Sequence, residues 1–323
     1  MHLKDFTDKL NDLGRKKIPF LFLVDFEMRK PKVWLVDEIN TDEMLYSING
    51  FSNAPLTGIN KRPIQIIKHP VPFDEYEKKF NSAYHHLSYG NSFLINLTIK
   101  TKLEIKLSLR DLFYHGTAKY KCWLASEFLF FSPETFIQIR NGKIFSYPMK
   151  GTMDASLPNA KQIIIENKKE LAEHVTIADL IRNDLSQIAS NVSIKRFRFI
   201  DEIVAHDKKL LQVSSEIVGD LPSDYQSQLG NIIISLLPAG SVSGAPKSKT
   251  CEIIKSAESE ERGYYTGVFG YFDGENLDSG VAIRFIEQQG SDYFYRSGGG
   301  ITAQSLVRDE YREAIDKIYV PVI

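Results

Sequence analysis

The chain has 323 residues, of which 43% are hydrophobic and 25% charged, and its formal net charge is −1. This composition is ordinary for a folded protein, and the length allows one or two domains with a substantial core. Balanced charge provides no bulk attraction to nucleic acid or to an anionic membrane surface, so neither kind of partner is expected.

The two cysteines and the first thirty residues bear on the compartment. Cys122 and Cys251 lack the spacing of a metal site and are too few for a disulfide framework. Met1 to Lys30 carries acidic and basic residues throughout and does not resemble a secretory signal, and no apolar run has transmembrane length. We therefore expect a protein of the reducing cytoplasm.

Apolar and β-prone runs predict mostly strands in the first half of the chain. The predicted strands are Phe20 to Asp25, Lys32 to Val36, Ile64 to Lys68, Ser92 to Ile105, Lys121 to Phe131, and Phe136 to Tyr147 with a turn at Asn141-Gly142. Gly50 to Pro63, rich in Gly, Pro and Asn, predicts a loop, and Phe73 to Leu87 predicts a helix.

The second half begins with helices and ends mostly with strands. Helices are predicted over Glu166 to Ala189, Tyr225 to Leu237 and Pro246 to Ala257, and a last one over Arg308 to Ile318. Strands are predicted over Thr266 to Asp273, Ser279 to Glu287 and Tyr293 to Ser297. This order predicts an α+β fold in which helices flank antiparallel sheets.

Two glycine-rich segments are candidate anion sites. Gly298-Gly299-Gly300 follows a predicted strand, and successive backbone N–H groups there could cradle a carboxylate. The segment from Gly240 to Gly244 leads into Pro246 at a helix start, which is also a favourable place for an anion. A tight turn is the alternative for each segment.

Four charged residues have both a chemical and a plain structural interpretation. Arg284, at the end of an apolar strand, needs an anionic partner, either a ligand carboxylate or a structural Asp or Glu. Lys150 follows a strand and could be a nucleophile or an exposed lysine. Glu173 and Glu313 could share a Mg²⁺ ion with substrate oxygens, although Glu313 could equally belong to a solvated ion-pair face.

Taken together, these segments resemble the motifs of the chorismate-utilising enzyme family, and they occur in the same order. The resemblance covers about residues 75–323. The matching segments are Ser132-Pro133-Glu134, Pro148 to Thr152, Glu173-His174 through Asp184, Gly240 to Lys247, Arg262 to Tyr271, Asp278 to Arg284, and Gly298 to Lys317.

The resemblance implies a fold, a domain division and roles for individual residues. The fold is two facing antiparallel sheets with helices outside, in a catalytic domain over 75–323 preceded by a short packed region over 1–74. Magnesium would be bound by Glu173 and Glu313, and Glu134 would be the general acid for departure of the 4-hydroxyl. Chorismate would be held by Gly151, Thr152, Gln212, Ser243, Gly244, Tyr265, Arg284, Gly298, Gly300 and Lys317.

Family members differ in the nucleophile that they deliver to chorismate. Anthranilate synthases typically have alanine at the position of Lys150, whereas one class of aminodeoxychorismate synthases has a lysine that attacks the substrate. Isochorismate synthases carry a lysine base where this chain has Leu94, which disfavours water as the nucleophile. The resemblance thus favours formation of aminodeoxychorismate, with anthranilate formation and a non-catalytic chorismate-binding subunit as alternatives.

The motifs that are absent from the chain bear on its nitrogen source. The chain contains no P-x-x-G-x-C-L-G-x-Q glutaminase motif, so we expect ammonia from a separate glutamine amidotransferase subunit.

Two positions depart from the family pattern. Met153-Asp154-Ala155 replaces the basic residues that usually follow the lysine motif, and Gln212 stands where a histidine is common. Gln212 can exchange hydrogen bonds but cannot act as an acid near neutral pH.

Overall fold

The computed structural model describes residues 1–55, 64–205 and 208–321. The helices in these ranges are α1 (Leu3–Arg15), α2 (Phe73–Ser88), α3 (Leu109–His115), α4 (Ala160–Glu166), α5 (Lys168–Ser186), α6 (Leu229–Ser235), α7 (Lys247–Glu258) and α8 (Val307–Asp316). Short 3-10 turns cover Val36–Glu38, Tyr225–Gln228 and Gly240–Val242. None of the described helices is both long enough and apolar enough to cross a membrane.

Two antiparallel sheets, each nine-stranded in the described ranges, form the centre of the molecule. The first sheet contains β1 (Phe20–Val24), β2 (Lys32–Leu35), β9 (Thr135–Arg140), β10 (Lys143–Ser146), β11 (Met149–Asp154), β12 (Ser190–Ala205), β13 (Lys208–Asp220), β15 (Val268–Phe272) and β16 (Leu277–Val281). The second contains β3 (Met44–Ile48), β4 (Phe51–Ser52), β5 (Ile66–His69), β6 (Leu94–Ile105), β7 (Tyr120–Leu124), β8 (Phe128–Ser132), β14 (Gly244–Ala245), β17 (Phe285–Gln289) and β18 (Asp292–Ile301).

Strand β1 shows why the sheets face each other. All five of its residues are buried, because both faces of the strand are covered. Leu21 and Leu23 pack into a cluster that also contains Tyr120 and Phe130 of the second sheet. Phe20, Phe22 and Val24, on the opposite face, pack against α1 and α6. Since alternate residues of a strand point to opposite faces, the chain forms four layers, helix, sheet, sheet and helix. The predicted fold class is confirmed.

Two connections cross from one sheet to the other side by side. Pro133-Glu134 leads from β8 of the second sheet to β9 of the first, and the segment 282–284 leads from β16 back to β17. The two crossings are hydrogen-bonded, since the amide of Val281 donates to the Glu134 carbonyl at 3.1 Å. The amide of Phe131 donates to the Arg284 carbonyl at 3.2 Å. Glu134 and Arg284 are therefore held together where the sheets meet.

Most predicted elements are present, with breaks that the patterns did not show. The strand predicted over 121–131 is the hairpin β7–β8, which turns at Ser126 with φ +60°. The strand predicted over 279–287 is broken where Arg284 adopts φ +54°. The turn at Asn141-Gly142 is confirmed, with positive φ at both residues. Most of the loop predicted over 50–63 lies outside the described residues.

The first 74 residues supply strands to both sheets. Strand β1 pairs with β15 and β2, and β3 pairs with β7. The packed N-terminal region is thus continuous with the sheets, and the boundary after residue 74 stays a prediction. The elements that were not predicted are helices α1, α3 and α4 and strands β3, β4, β11, β12, β13 and β14.

Candidate functional site

A cavity of about 420 Å³ opens between the two sheets, next to the crossing connections. It contains nearly all of the residues that the motifs singled out, although they come from distant parts of the chain. The predicted residues that line it are Glu134, Lys150, Gly151, Thr152, Glu173, Gln212, Tyr265, Arg284, Gly298, Gly300, Glu313 and Lys317. Ser243 and Gly244 are not part of the lining.

The glycine run lies inside strand β18, so the tight-turn alternative is wrong for it. The three glycines allow close approach of neighbouring groups. A Cβ at Gly300 would lie 3.1 Å from Lys150 Nζ, and one at Gly299 would lie 3.0 Å from a Glu313 carboxylate oxygen. A Cβ at Gly298 would meet the Leu97 carbonyl oxygen at 2.2 Å. The run therefore brings two charged side chains directly against the strand backbone.

Lys150 brings an amine to the cavity. It lies on β11, and its Nζ is 3.5 Å from a carboxylate oxygen of Glu173 on α5. Its side chain is 18% exposed, so the amine is reached from the cavity but is shielded elsewhere. The interpretation of Lys150 as a plain surface lysine is therefore not supported.

Two carboxylates, Glu173 and Glu313, enter the cavity from different helices. Glu313 lies on α8 and pairs with Lys317 at 2.6 Å, and Lys317 Nζ also donates to the Gly298 carbonyl at 3.1 Å. No group of three or more potential metal ligands occurs within the described ranges. The donor set fits a hard cation that takes two protein carboxylates and completes its shell with substrate oxygens and water.

A buried histidine fixes the helix that carries Glu173. His174 has no exposed surface, and its Nε2 shares a 2.6 Å hydrogen bond with Ser215 of β13. Burial, together with the nearby positive charges of Arg198 and Lys150, lowers the pKa of His174 to about 4. His174 is therefore neutral near pH 7 and ties α5 to the first sheet.

Glu134 is a cavity carboxylate with a hydroxyl partner and a raised pKa. Its carboxylate accepts a hydrogen bond from the Ser241 hydroxyl, and its amide donates to Ser132 Oγ at 3.1 Å. Burial raises the pKa of Glu134 above the ordinary glutamate value, although the Ser241 hydrogen bond and the positive charges of Lys150, Arg284 and Lys317 act against this rise. A raised pKa favours the protonated form that a general acid needs.

Arg284 also lines the cavity and supplies a positive charge there. Its guanidinium carbon lies 5.0 Å from the centre of the Tyr319 ring, and its buried Nε has no hydrogen-bond partner among the described residues. The sequence allowed either a ligand carboxylate or a structural Asp or Glu as the partner of Arg284. Because its buried donor lacks a partner, an anionic ligand is favoured.

Gln212 and Thr152 face each other across neighbouring strands. Thr152 of β11 is the partner of Gln212 of β13 in the register of the first sheet. Both line the cavity with Gly151, whose φ of +85° favours glycine.

Ser243 and Gly244 lie behind the cavity wall. The Ser243 hydroxyl is fully buried and donates to the Ala239 carbonyl at 2.9 Å. Gly244 pairs with Ile95, and a Cβ there would collide with the Leu94 carbonyl oxygen. Ser241, in the 3-10 turn of the same motif, faces the cavity instead and was missed because the motif does not show which serine points inward.

Comparison with known proteins identifies the family of the chain. A family model described as chorismate binding enzyme matches residues 19–322. An uncharacterized PabA-like protein of Haemophilus influenzae is 45% identical over 320 residues, covering 99% of this chain and 97% of that protein. Aminodeoxychorismate synthase component 1 of Bacillus subtilis is 26% identical over 342 residues, covering 96% and 71%.

A solved structure of another protein has a similar fold. The structure of MenF, the menaquinone-specific isochorismate synthase of Escherichia coli, superposes with a TM-score of 0.74 at 16% identity, covering 97% of this chain and 80% of that one. The chain belongs to the family of chorismate-binding enzymes. Within the family, it is of the aminodeoxychorismate synthase and anthranilate synthase component I type.

Proposed function

We propose that the chain is the synthase component that converts chorismate and ammonia into 4-amino-4-deoxychorismate. The observation that carries this proposal is Lys150, whose amine lies in the cavity beside Glu173 and against Gly300. Anthranilate synthases, the nearest alternative, typically have alanine at this position. The similarity to the Bacillus subtilis protein supports the same assignment.

The proposed reaction divides one displacement between two nucleophiles. The Lys150 amine forms a bond to ring carbon 2, both ring double bonds shift by one position toward carbon 4, and the bond from carbon 4 to its hydroxyl breaks, so that the hydroxyl leaves as water with a proton from Glu134. Ammonia then bonds to carbon 4, and the Lys150 nitrogen departs from carbon 2 with the electron pair of its bond. Two easier steps in place of a difficult one are the usual advantage of covalent catalysis.

The remaining residues hold the substrate. Arg284, which lines the cavity, would bind one carboxylate of chorismate in a bidentate manner. Glu173 and Glu313 would hold Mg²⁺, which supplies positive charge for a second substrate carboxylate. Leu94 supports ammonia over water, because a side-chain carbon lies 3.0 Å from the Cβ position of Gly300 and provides no base there.

Product analysis tests the proposed function. Incubation with chorismate, ammonium and Mg²⁺ is expected to give a product in which one amino group has replaced one hydroxyl. The enolpyruvyl ether should remain, so no pyruvate should be released. Anthranilate formation would release pyruvate, and a non-catalytic subunit would consume no chorismate. Either result would overturn the proposal.

The nitrogen source is a separate prediction. Burial raises the pKa of both cysteine thiols, Cys122 and Cys251, which disfavours the nucleophilic thiolate that a glutaminase needs. We expect the isolated chain to use ammonium salts but not glutamine, with a separate amidotransferase supplying ammonia in the cell. Product formation from glutamine by the pure chain would contradict this, and addition of an amidotransferase subunit is the positive control.

The pH dependence of turnover is expected to report Glu134. Since the acid must be protonated, turnover should fall as pH rises through its raised pKa, with the free ammonia concentration held constant. Ser241→Ala removes the hydrogen bond that lowers this pKa, so the falling limb should move to higher pH. Glu134→Gln should lose the limb and about a hundredfold or more of the rate. If the falling part of the pH profile is unchanged in both variants, it reports the ionisation of another group.

A further inference from the structure

Asn96 is among the polar side chains that line the cavity and have no role in the reaction described above. Asn96 lies on β6 and lines the cavity, and its strand partner is Gly300, the residue against which Lys150 lies. Its side-chain oxygen, Oδ1, is buried and has no hydrogen-bond partner among the described residues. Buried amide oxygens nearly always have a donor, so this one is suited to a donor that arrives with the ligand.

The backbone of Asn96 is held on both sides. Its N–H donates to the Ser243 carbonyl at 2.8 Å, and its carbonyl accepts from Arg262 Nη2 at 2.6 Å. Arg262 is itself buried and is paired with Glu258 at 2.6 Å. The side-chain amide is therefore presented from a fixed point in the wall.

Arg262 also relates Asn96 to the general acid. Its Nη1 donates to the Val242 carbonyl at 2.8 Å, and Val242 is next in the chain to Ser241, which donates to Glu134. One guanidinium thus holds the strand that carries Asn96 and the turn that positions Glu134. Asn96 and Glu134 line the same cavity, and Lys150 lies against Gly300, the strand partner of Asn96.

The chemistry of chorismate decides what Asn96 can bind. Near neutral pH, both carboxylates and the ether oxygen are acceptors only, and an amide oxygen would repel them. The ring hydroxyl at carbon 4 is the one hydrogen-bond donor that the substrate carries. This hydroxyl has a single hydrogen. When that hydrogen is donated to an acceptor in the wall, the lone pairs of the hydroxyl oxygen stay available for an incoming proton.

We propose that the side-chain oxygen of Asn96 accepts a hydrogen bond from the 4-hydroxyl of chorismate and turns its lone pairs toward Glu134. This inference rests on the proposed function, in which that hydroxyl is the leaving group. Asn96 then both selects substrates that carry the hydroxyl and orients the hydroxyl for protonation. A site built around a substrate hydroxyl rejects analogues that lack it, because its polar groups are left unpaired.

The test compares two ligands rather than two rates. In a background that carries both Lys150→Ala and Glu134→Gln, without ammonia, no adduct can form, and calorimetry measures the affinities for chorismate and for its analogue with hydrogen in place of the 4-hydroxyl. With Asn96 present, chorismate should bind roughly tenfold or more tightly than the analogue. In Asn96→Leu, which keeps the shape of the side chain, this preference should fall to within about threefold.

Matched variants separate the contact from general damage. Thr101→Val also removes a buried, unpartnered oxygen from β6, but away from the cavity, and should keep the full preference. Asn96→Asp retains an acceptor oxygen, and its charge acts on the carboxylates of both ligands alike, so the preference should remain. If Asn96→Leu does not fold, as judged by its thermal transition, Asn96→Ala makes the same comparison.

The outcomes distinguish this inference from the proposed function. A preference that survives in Asn96→Leu or Asn96→Ala, or one that is lost in Thr101→Val, overturns the role of Asn96 while chorismate binding stands. A raised KM for ammonia with an unchanged preference also overturns it, since Asn96 would then contact the nucleophile. Failure of every form to bind chorismate overturns both the inference and the proposed function.

Discussion

When ammonia is excluded, the chain is expected to accumulate an adduct on Lys150 that is heavier by one chorismate less one water. The reason is the position of the amine, which lies inside the cavity, 18% exposed, with Glu173 at 3.5 Å and the bare backbone of Gly300 beside it. Without ammonia the second displacement cannot occur, so the intermediate has no route forward. Intact-protein mass spectrometry detects the adduct, and peptide mapping locates it.

Lys150→Ala removes the proposed nucleophile. We expect loss of the adduct and a fall in aminodeoxychorismate formation of roughly a hundredfold or more, equivalent to about 2.7 kcal/mol of transition-state stabilisation. Because alanine is what anthranilate synthases carry at this position, direct attack of ammonia on carbon 2 is the expected residual chemistry. Release of pyruvate would report it.

Lys317 is the matched control for the adduct. It is a second cavity lysine, but it is bound to Glu313 at 2.6 Å and to the Gly298 carbonyl, so its amine is engaged elsewhere. Lys317→Ala should weaken substrate binding and still form the adduct on Lys150. Absence of any adduct, with Lys150→Ala making the same product more slowly, would show that the lysine only orients the substrate.

The site was more predictable from sequence than the sheets that build it. The motifs carry side chains whose chemistry constrains their identity, so Glu134, Lys150 and Glu173 could be named before any packing was known. Pairing could not be predicted in the same way. Strand β1 pairs with β15, where Phe20 is the partner of Phe272, and no local pattern encodes that choice.

The missed elements have identifiable physical reasons. Strands β12 and β13 form a long hairpin in which many β12 residues are exposed, so the alternation of apolar and polar residues that marks a half-buried strand is weak. Residues 282–284 continue an apolar run, yet there the chain changes sheet. The break depends on Arg284 at φ +54°, a conformation that sequence patterns do not show.

Within the site, side-chain direction was the information that the sequence lacked. Ser241 and Ser243 occupy one motif, but the 3-10 turn over Gly240–Val242 directs the first to Glu134 and the second to a backbone carbonyl. Asn96 lies two residues after Leu94 in the same strand, but the sequence assigned it no role, and it was found only because its buried oxygen has no partner among the described residues.

The Glu173→Gln and Glu313→Gln variants are each expected to lose turnover almost completely while the fold is retained. The two carboxylates enter the same cavity from α5 and α8, and amide replacements remove the charge that a magnesium ion requires. Since a metal supplies several kcal/mol of charge stabilisation, the loss should be roughly a thousandfold or more. Assays across a magnesium titration measure it, and circular dichroism checks the fold.

Lysine pairing is the competing explanation for these two glutamates, and direct binding decides between them. Glu173 also pairs with Lys150, and Glu313 with Lys317, so a variant could fail by freeing a lysine. If the two glutamates are metal ligands, both variants should lose the binding of Mg²⁺ that calorimetry detects in the presence of an unreactive chorismate analogue. Glu170→Gln, a cavity glutamate one turn earlier on α5, is the control and should retain magnesium binding. Undiminished magnesium affinity in Glu173→Gln or Glu313→Gln would exclude that residue as a ligand and leave it the smaller role of positioning a lysine.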